Sequence, residues 1–436
     1  MKRILFLLAP VWLATAQTAN PQGTFHSNIA RTGVYPSAGP KQLNGVKWAF
    51  KSGGPILGSP AIAAGVVYIG SLDGFVYAVD QETGKEKWKH ATHQPVVSSP
   101  AVSGGLVFFE GYDGVLYALA TDTGTVKWYF VAEYERRFEA KHLHGYSPES
   151  QTIPDSWDLY LSSPAVFNNH VYFGSGDGNV YAVDTSTGVL HWKFSTGDIV
   201  HASPAIANGT VYIGSWDSNL YALDAESGQE KWRFKGGEDP VVHNQVGFQS
   251  SPAVVDGVVY TGCRDGHVYA LDANTGRKKW DYSTAKNWVN ATPAVRDGVV
   301  YAGTSFGWNL HALDARTGRE RFTFHAGGEI FSSAALAGDL AYFGAANGRL
   351  YAIDAKTGKL AWQFQTEASK ADPMKVLKPD GSLDDEAIFA HYFHDSQDMA
   401  LAMYRMFSVG GVWSSPAVDK GVVYFGSTDG YLYALH

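Results

Sequence analysis

The 436-residue sequence predicts an all-β fold, an eight-bladed β-propeller in which each blade is a four-stranded antiparallel sheet. Three observations lead to this prediction. A segment of about 40 residues recurs along the chain, which indicates a repeat architecture. Each copy alternates β-branched and aromatic residues between Gly and Asp turns, the pattern of consecutive hairpins. Finally, the two ends of the chain complement each other within one copy of the repeat.

Every copy of the repeat opens on a Ser-Pro-Ala-like start. A short apolar strand, a Gly turn, a Val-Tyr strand, an Asp-Gly turn, a second Val-Tyr strand, an Asp-x-x-Thr-Gly turn and a Trp strand follow it. A unit this small cannot bury both of its faces alone, so the copies must pack on one another. The prolines that mark the starts are Pro60, Pro100, Pro164, Pro204, Pro252, Pro293 and Pro416, and Ala334 replaces proline in the remaining start.

The chain ends indicate a closed ring rather than a linear array. The last copy stops at His436, before its Trp strand, while an unpaired Trp strand around Trp48 precedes the first copy. That early strand can complete the last blade and remove the open edges that a linear array would expose. We therefore expect circular closure by an N-terminal strand.

The N-terminus has the pattern of a secretory signal peptide. Lys2 and Arg3 precede a short apolar stretch, residues 4–13, and the small residues of Ala14-Thr15-Ala16 follow it. We expect a signal peptide at residues 1–16, an extension at 17–44 and the propeller at 45–436. The apolar stretch is too short to span a bilayer and no cysteine stands near the cleavage point for lipidation, so a periplasmic or secreted protein is expected.

The rest of the composition excludes some classes of stabilisation and of partner. Cys263 is the only cysteine, so the fold must do without an intramolecular disulfide. The net charge of −8, with no long basic run, disfavours nucleic acid as a partner.

The segment from Ala78 to Trp88, Ala-Val-Asp-Gln-Glu-Thr-Gly-Lys-Glu-Lys-Trp, resembles the tryptophan-docking motif of the pyrroloquinoline-quinone-like (PQQ-like) repeat family. This family includes quinoprotein alcohol dehydrogenases and an outer-membrane assembly lipoprotein. The resemblance implies that each Trp packs between neighbouring blades. Ala120 in place of Asp and Phe322 in place of Trp depart from the motif, and looser junctions are expected there. The tryptophans concerned are Trp48, Trp88, Trp128, Trp192, Trp232, Trp280 and Trp362.

Three insertions interrupt the repeat, at about 132–159, 236–248 and 366–411. All three fall between the Trp strand of one blade and the first strand of the next, so they should share one face of the disc. Loops on a rigid scaffold commonly carry binding, which makes this face a candidate site. Simple loop growth without function is the alternative.

The longest insertion predicts a helix over about 383–407. Ser382 and Asp385 suggest a capping box, and Met399, Met403 and Met406 recur at helical spacing. The methionines can either dock the helix on the propeller or bind an apolar partner.

Histidines in two of the insertions suggest a metal site. His391 and His394 lie one turn apart on the predicted helix, and His142 and His144 belong to another insertion. Solvated histidines without a metal are the alternative.

The innermost strands supply a second candidate site. The residues three positions before the proline position of each start should line the axis of the disc, and a mixture of apolar walls with few polar groups is typical of small-molecule sites. These residues are Leu57, Val97, Leu161, His201, Gln249, Asn290, Phe331 and Trp413.

Two charged residues stand near this axis. Glu110 replaces a strand-end glycine of the repeat, and Arg264 is a candidate counter-charge for it. The recurring aspartates of the second-to-third strand turns, such as Asp73, are explained by turn chemistry.

The sequence leaves two functions open. One is a binding or assembly scaffold that uses the insertion-bearing face and the axial pocket, with a protein or small-molecule partner that the sequence does not name. The other is a PQQ-dependent dehydrogenase that oxidises an alcohol or sugar. It would need the quinone and a calcium ion, for which Glu110, Gln249 and Asn290 are the available ligands. Adjacent cysteines, which the resemblance leads one to expect against a quinone, are absent from the sequence.

Overall fold

A computed structural model describes residues 23–141, 143, 150–237, 247–389 and 396–436. Within them, eight four-stranded antiparallel sheets follow one another along the chain, and one additional two-stranded sheet lies in the first insertion. The predicted eight-bladed propeller is therefore confirmed. No helix in this described part of the chain is long and apolar enough to cross a membrane.

The strands run outward from the axis in chain order within blades 1 to 7. The strand that precedes blade 1 is β1 (Val46–Lys51). Blade 1 contains β2 (Ala61–Ala63), β3 (Val66–Gly70), β4 (Phe75–Asp80) and β5 (Glu86–Ala91). Blade 2 contains β6 (Ala101–Ser103), β7 (Leu106–Glu110), β8 (Val115–Ala120) and β9 (Val126–Val131). The hairpin of the first insertion contains β10 (Glu139–Lys141) and β11 (Thr152–Pro154).

The next three blades repeat this arrangement. Blade 3 contains β12 (Ala165–Phe167), β13 (His170–Gly174), β14 (Asn179–Asp184) and β15 (Leu190–Ser195). Blade 4 contains β16 (Ala205–Ala207), β17 (Thr210–Gly214), β18 (Asn219–Asp224) and β19 (Glu230–Lys235). Blade 5 contains β20 (Ala253–Val255), β21 (Val258–Gly262), β22 (His267–Asp272) and β23 (Lys278–Ser283).

The last three blades complete the ring. Blade 6 contains β24 (Ala294–Arg296), β25 (Val299–Gly303), β26 (Asn309–Asp314) and β27 (Glu320–His325). Blade 7 contains β28 (Ala335–Ala337), β29 (Leu340–Ala345), β30 (Arg349–Asp354) and β31 (Leu360–Gln365). The third insertion follows with α1 (Glu367–Ala371), α2 (Asp385–Ile388) and α3 (Ser396–Ser408), and blade 8 contains β32 (Ala417–Asp419), β33 (Val422–Gly426) and β34 (Tyr431–Leu435).

The ring is closed by backbone hydrogen bonding between the two ends of the chain. Strand β1 pairs antiparallel with β34, so that Trp48 lies opposite Ala434 and Ala49 lies opposite Tyr433. The first strand of the repeat region thus becomes the outer strand of the last blade. This confirms the closure that the chain ends predicted.

Neighbouring blades are joined at two radii, and the inner joint is a ring of hydroxyl groups. The backbone N–H of one Ser-Pro start donates to the serine hydroxyl of the next start, for example from Ser59 to Ser99 at 2.9 Å and from Ser415 to Ser59 at 2.9 Å. Because Ser415 belongs to blade 8 and Ser59 to blade 1, this ring also crosses the closing junction. The recurring serines are therefore structural.

The outer joint is the docked tryptophan. Six of the seven indoles donate their N–H to a carbonyl of the adjoining blade at 2.9–3.0 Å, as Trp192 does to Ala225. The seventh, Trp362, donates to the carbonyl of Pro40 in the N-terminal extension at 2.9 Å. At the one phenylalanine position, Phe322 packs on Gly358, and Tyr301 donates to the free carbonyl of Ala355 at 2.6 Å. The hydroxyl group of Tyr301 thus donates to the carbonyl oxygen that would also have accepted from the indole of a tryptophan.

The segment that precedes β1 crosses the face opposite the insertions. The backbone oxygens of residues 23, 29, 30, 32 and 33 accept from inner strands of blades 2, 4, 5, 6 and 7. Arg31 is fully buried and donates to the carbonyls of Phe25, Ser163, Pro164 and Pro204. This extension therefore ties six blades together, since Arg31 adds blade 3 to the five blades that the backbone oxygens contact.

The third insertion differs from the single helix that the sequence predicted. The predicted span contains α2 and α3 as separate helices, and α2 already ends at Ile388, with Phe389 as its C-cap. The predicted capping box is wrong, because Asp384 is the N-cap and accepts from the amides of Glu386 and Ala387. Ser382 instead donates to Asp380 in the preceding turn.

Replacing Gly228 by alanine should destabilise the protein through the packing of Trp192. Its φ is +69°, and an added Cβ would lie 2.6 Å from the indole ring, so the docked tryptophan must move. Strain at positive φ costs about 1 kcal/mol, and overpacking adds about 1–3 kcal/mol. The free energy of unfolding from urea titration measures this loss.

Gly209→Ala is the matched control, because Gly209 has a φ of +68° and no neighbour within 4 Å of an added Cβ. It should lose only the strain. Equal losses in the two variants would contradict tryptophan docking as the constraint on Gly228.

Candidate functional site

The eight residues predicted to line the axis surround one cavity between the blades. The cavity has a volume of about 50 Å³, which is room for a few water molecules. Drug-sized ligands occupy pockets of about 300–1,000 Å³. The predicted wall is thus present, but the space inside it is small.

Aromatic side chains fill the axis from both sides. Phe25 of the N-terminal extension lines the cavity from below. From the insertion-bearing face, Tyr160 donates to the carbonyl of Trp413 at 3.3 Å, and Trp157 stacks on Phe331 with ring centroids 5.9 Å apart. The end of the first insertion therefore covers the opening of the axial cavity, which the sequence predicts to be a ligand pocket.

A buried arginine holds this covering segment in place. Arg264 forms an ion pair with Asp155 of the first insertion, and both side chains are fully buried. Its guanidinium lies 4.2 Å from the ring centroid of Trp216 and 4.4 Å from that of Trp288, a double cation–π arrangement. The Nε of Arg264 also donates to Gln249 at 3.0 Å. The expected partnership between Arg264 and Glu110 is wrong, because the insertion supplies a different carboxylate.

A buried histidine forms the second attachment of the same insertion. His201 Nδ1 lies 2.7 Å from Asp158, and its Nε2 lies 2.8 Å from Glu135. Burial alone would lower the pKa of His201, but the two carboxylates outweigh it and raise that pKa well above its usual value. A charged imidazole therefore bridges the two ends of the first insertion.

Glu110 is fully buried and lies near His201 and its carboxylate partners. Burial raises the pKa of its carboxyl group well above the usual value, and the charge of Glu135 raises it further. Neither carboxyl oxygen has a hydrogen-bond partner among the described residues. Burial without a hydrogen-bond partner therefore favours the neutral form of the Glu110 carboxyl group over its charged form.

Sequence reasoning missed the acidic residues that organise this site. Asp155, Asp158 and Glu135 all belong to the first insertion, which has no counterpart in other blades to compare with. The available clue was charge, since His201 and Arg264 place cationic side chains where other blades carry uncharged ones. Two cations near the axis require buried carboxylates, and the acidic insertion could supply them.

The predicted metal ligands His391 and His394 lie outside the described residues, as do His142 and His144. The methionines next to the predicted metal site are described. Met399, Met403 and Met406 are buried and pack with Trp157 and Trp413 in one hydrophobic cluster. Of the two roles considered for them, helix docking is the one that the structure shows.

These features define a PQQ-like repeat propeller with an axis that is covered on both faces. The chain belongs to the family whose model is described as outer membrane protein assembly factor BamB, since that model matches residues 41–139, 150–307 and 285–392. A search of curated proteins found no match.

Solved structures share the fold. BamB from Moraxella catarrhalis has a TM-score of 0.65 at 16% identity, over 90% of this chain and 99% of that one. A europium-containing methanol dehydrogenase has a TM-score of 0.68 at 16% identity, over 94% and 90% of the two chains. Quinohemoprotein alcohol dehydrogenase from Comamonas testosteroni has a TM-score of 0.67 at 16% identity, over 97% and 81%. At this identity the likeness extends to the fold alone.

The described residues do not fit a quinone with calcium. A tricyclic quinone is many times larger than a few waters, so the axial cavity lacks the volume for it. The candidate calcium ligands also do not converge. Gln249 is engaged by Arg264 and by the carbonyl of Trp157, while Glu110 and Asn290 belong to blades 2 and 6, on opposite sides of the ring.

Replacing Glu110 by glutamine should change how stability depends on pH. Because the pKa of Glu110 is higher in the folded state, the folded protein keeps a proton that the unfolded chain loses above about pH 4.5. The wild type therefore loses stability as the pH rises towards the folded-state pKa. Glutamine removes this loss, and we expect its stability relative to wild type to rise by at least about 1 kcal/mol between pH 4.5 and pH 8.

Urea titrations across this pH range measure the effect. Glu139→Gln, at an exposed position of the first insertion, is the control and should show no such trend. A parallel pH dependence for Glu110→Gln and wild type would contradict the raised pKa of Glu110.

Replacing Asp155 by asparagine should destabilise the covering segment. It leaves the charge of Arg264 buried without its carboxylate, which costs about 3 kcal/mol. Hydrogen exchange at residues 150–161 should rise in this variant. Adding Arg264→Met removes the second charge, so the double variant should recover part of the lost stability. If the double variant instead loses the sum of the two single-variant losses in free energy of unfolding, the two side chains act independently. That result would contradict the coupling between Asp155 and Arg264.

Proposed function

We propose that the protein is an exported binding scaffold that receives a partner protein on its insertion-bearing face. The observation that carries this proposal is the exposure of large apolar side chains there. On α3, Met399, Met403 and Met406 pack inward, while Leu401 and Tyr404 are exposed on the outer side of the helix. Aromatic side chains that remain exposed on a rigid surface are typical anchors of protein interfaces.

A further exposed aromatic residue lies against the same hydrophobic cluster. Phe306 contacts the edges of Trp157 and Trp288, with ring centroids 5.7 and 5.2 Å apart, and is itself exposed. The segment beneath it is fixed by the Asp155–Arg264 pair, so the packing under Phe306 does not depend on a partner. Pre-organisation of this kind lowers the entropic cost of association.

The structure of the axis also favours a binding role over catalysis. The small axial cavity leaves little room for a substrate, and the buried cationic side chains near it, Arg264 and His201, are engaged in holding the first insertion. We therefore assign the binding function to the insertion-bearing face. The residues around the axial cavity hold that face in position.

The family supports a role in assembly at the cell envelope. The description of its model, an outer membrane protein assembly factor, suggests that the partner is a protein of such an assembly. The N-terminal pattern of Lys2, Arg3 and residues 4–16 supports export by a signal peptide, which would place the propeller in the periplasm or outside the cell.

Site-specific photo-crosslinking in the native host tests this proposal. A photoreactive phenylalanine analogue at position 404 should give a discrete crosslinked adduct, because the side chain of Tyr404 is 65% exposed on the proposed surface. The matched control is position 189, where Val189 is also 65% exposed but lies in a β14–β15 turn on the opposite face. The adduct should disappear when Leu401→Asp is added, with no change in melting temperature.

Two results would contradict the proposal. One is crosslinking of equal yield and pattern at positions 404 and 189, which would indicate random encounters. The other is an adduct at position 404 that Leu401→Asp leaves unchanged.

A further inference from the structure

Three metal-ligating side chains meet at the outer junction between blades 3 and 4, away from the insertions. His170 begins β13, His191 lies on β15, and Glu226 lies in the turn between β18 and β19. One donor atom of each side chain lies within 4.8 Å of the donor atoms of the other two. Two imidazoles and a carboxylate are a ligand set that divalent transition metals prefer.

The two imidazole rings already lie side by side. Their centroids are 4.2 Å apart and their planes differ by 19°. His191 Nε2 lies 2.8 Å from the backbone oxygen of Glu226 and 3.7 Å from its carboxylate, so the second blade approaches the pair closely. The Nδ1 atom of His170 has no hydrogen-bond partner among the described residues.

Comparison with the other blade junctions shows that this set is a departure from the repeat. At the closing junction the same three positions hold Val422, Lys47 and Glu82, and Lys47 pairs with Glu82 at 2.6 Å. At the junction of blades 3 and 4, histidine replaces both the aliphatic residue and the lysine. Packing explains the regular residues, but it does not explain two adjacent histidines beside a carboxylate.

We propose that His170, His191 and Glu226 form a binding site for a divalent transition metal, with zinc as the occupant. Each histidine contributes one ring nitrogen and Glu226 contributes a carboxylate oxygen. Water would complete the four-coordinate shell. Since the ligands come from two blades, the bound metal would also fasten blade 3 to blade 4, beside the contact between Trp192 and Gly228.

Calorimetric titration of the purified protein with zinc chloride tests the site. We expect saturable binding at this site with one zinc per chain, and a melting temperature that rises with zinc concentration. His170→Ala and His191→Ala should each weaken binding by about tenfold or more, and the pair should abolish it. Without zinc, these variants should melt close to wild type, since His191 is exposed and His170 is only half-buried.

The pair His391→Ala/His394→Ala is the matched control, because it removes two histidines from the other candidate metal site. If both sites bind, the His170→Ala/His191→Ala variant should lose one equivalent of zinc and keep the other. An unchanged stoichiometry and affinity in that variant would overturn the proposal, and so would the absence of saturable binding in the wild type. Cobalt(II) provides a second readout, since the wild type should show a visible absorption band that the variant lacks.

Discussion

The backbone pairing of β1 with β34 is the constraint on which the rest of the structure depends. It converts eight repeats into a ring, so that every blade has two neighbours and every inner strand faces a common axis. The serine hydroxyl contacts and the tryptophan contacts can extend across the closing junction only because this pairing brings Ser415 to Ser59 and Trp48 to the turn of blade 1. An open array would leave one face of its first and last blades exposed to water.

Closure also determines how the two faces of the disc differ. On one face, the extension around Arg31 bonds to the inner strands and seals the axis. On the other face, the first insertion crosses the axis and is held by two buried charged contacts, Asp155 with Arg264 and Asp158 with His201. Charged groups are costly to bury unless they are paired, so these contacts fix the position of the insertion more narrowly than apolar packing would.

The repeated parts of the fold could be predicted from the sequence, because each element recurs and the copies support one another. The number of blades and the order of the hairpins follow from the recurring motifs. The closing strand follows from Trp48, whose strand precedes the first copy of the repeat. The contacts of the insertions could not be predicted in this way. The partner of Arg264 is 109 residues away in a segment that occurs once, and no periodicity indicates it. The interruption after α2 and the capping role of Asp384 depend equally on local contacts that helical spacing does not encode.

The location of β1 has a consequence for biosynthesis. A ribosome releases this strand early, yet its hydrogen-bonding partner β34 emerges only after all the intervening blades. Until then β1 lacks its partner strand, and the last sheet to form has an exposed edge. Both can pair with the wrong strand. The last step of maturation is therefore a long-range annealing event, and a chaperone that shields the early segment would act on the stage most vulnerable to aggregation.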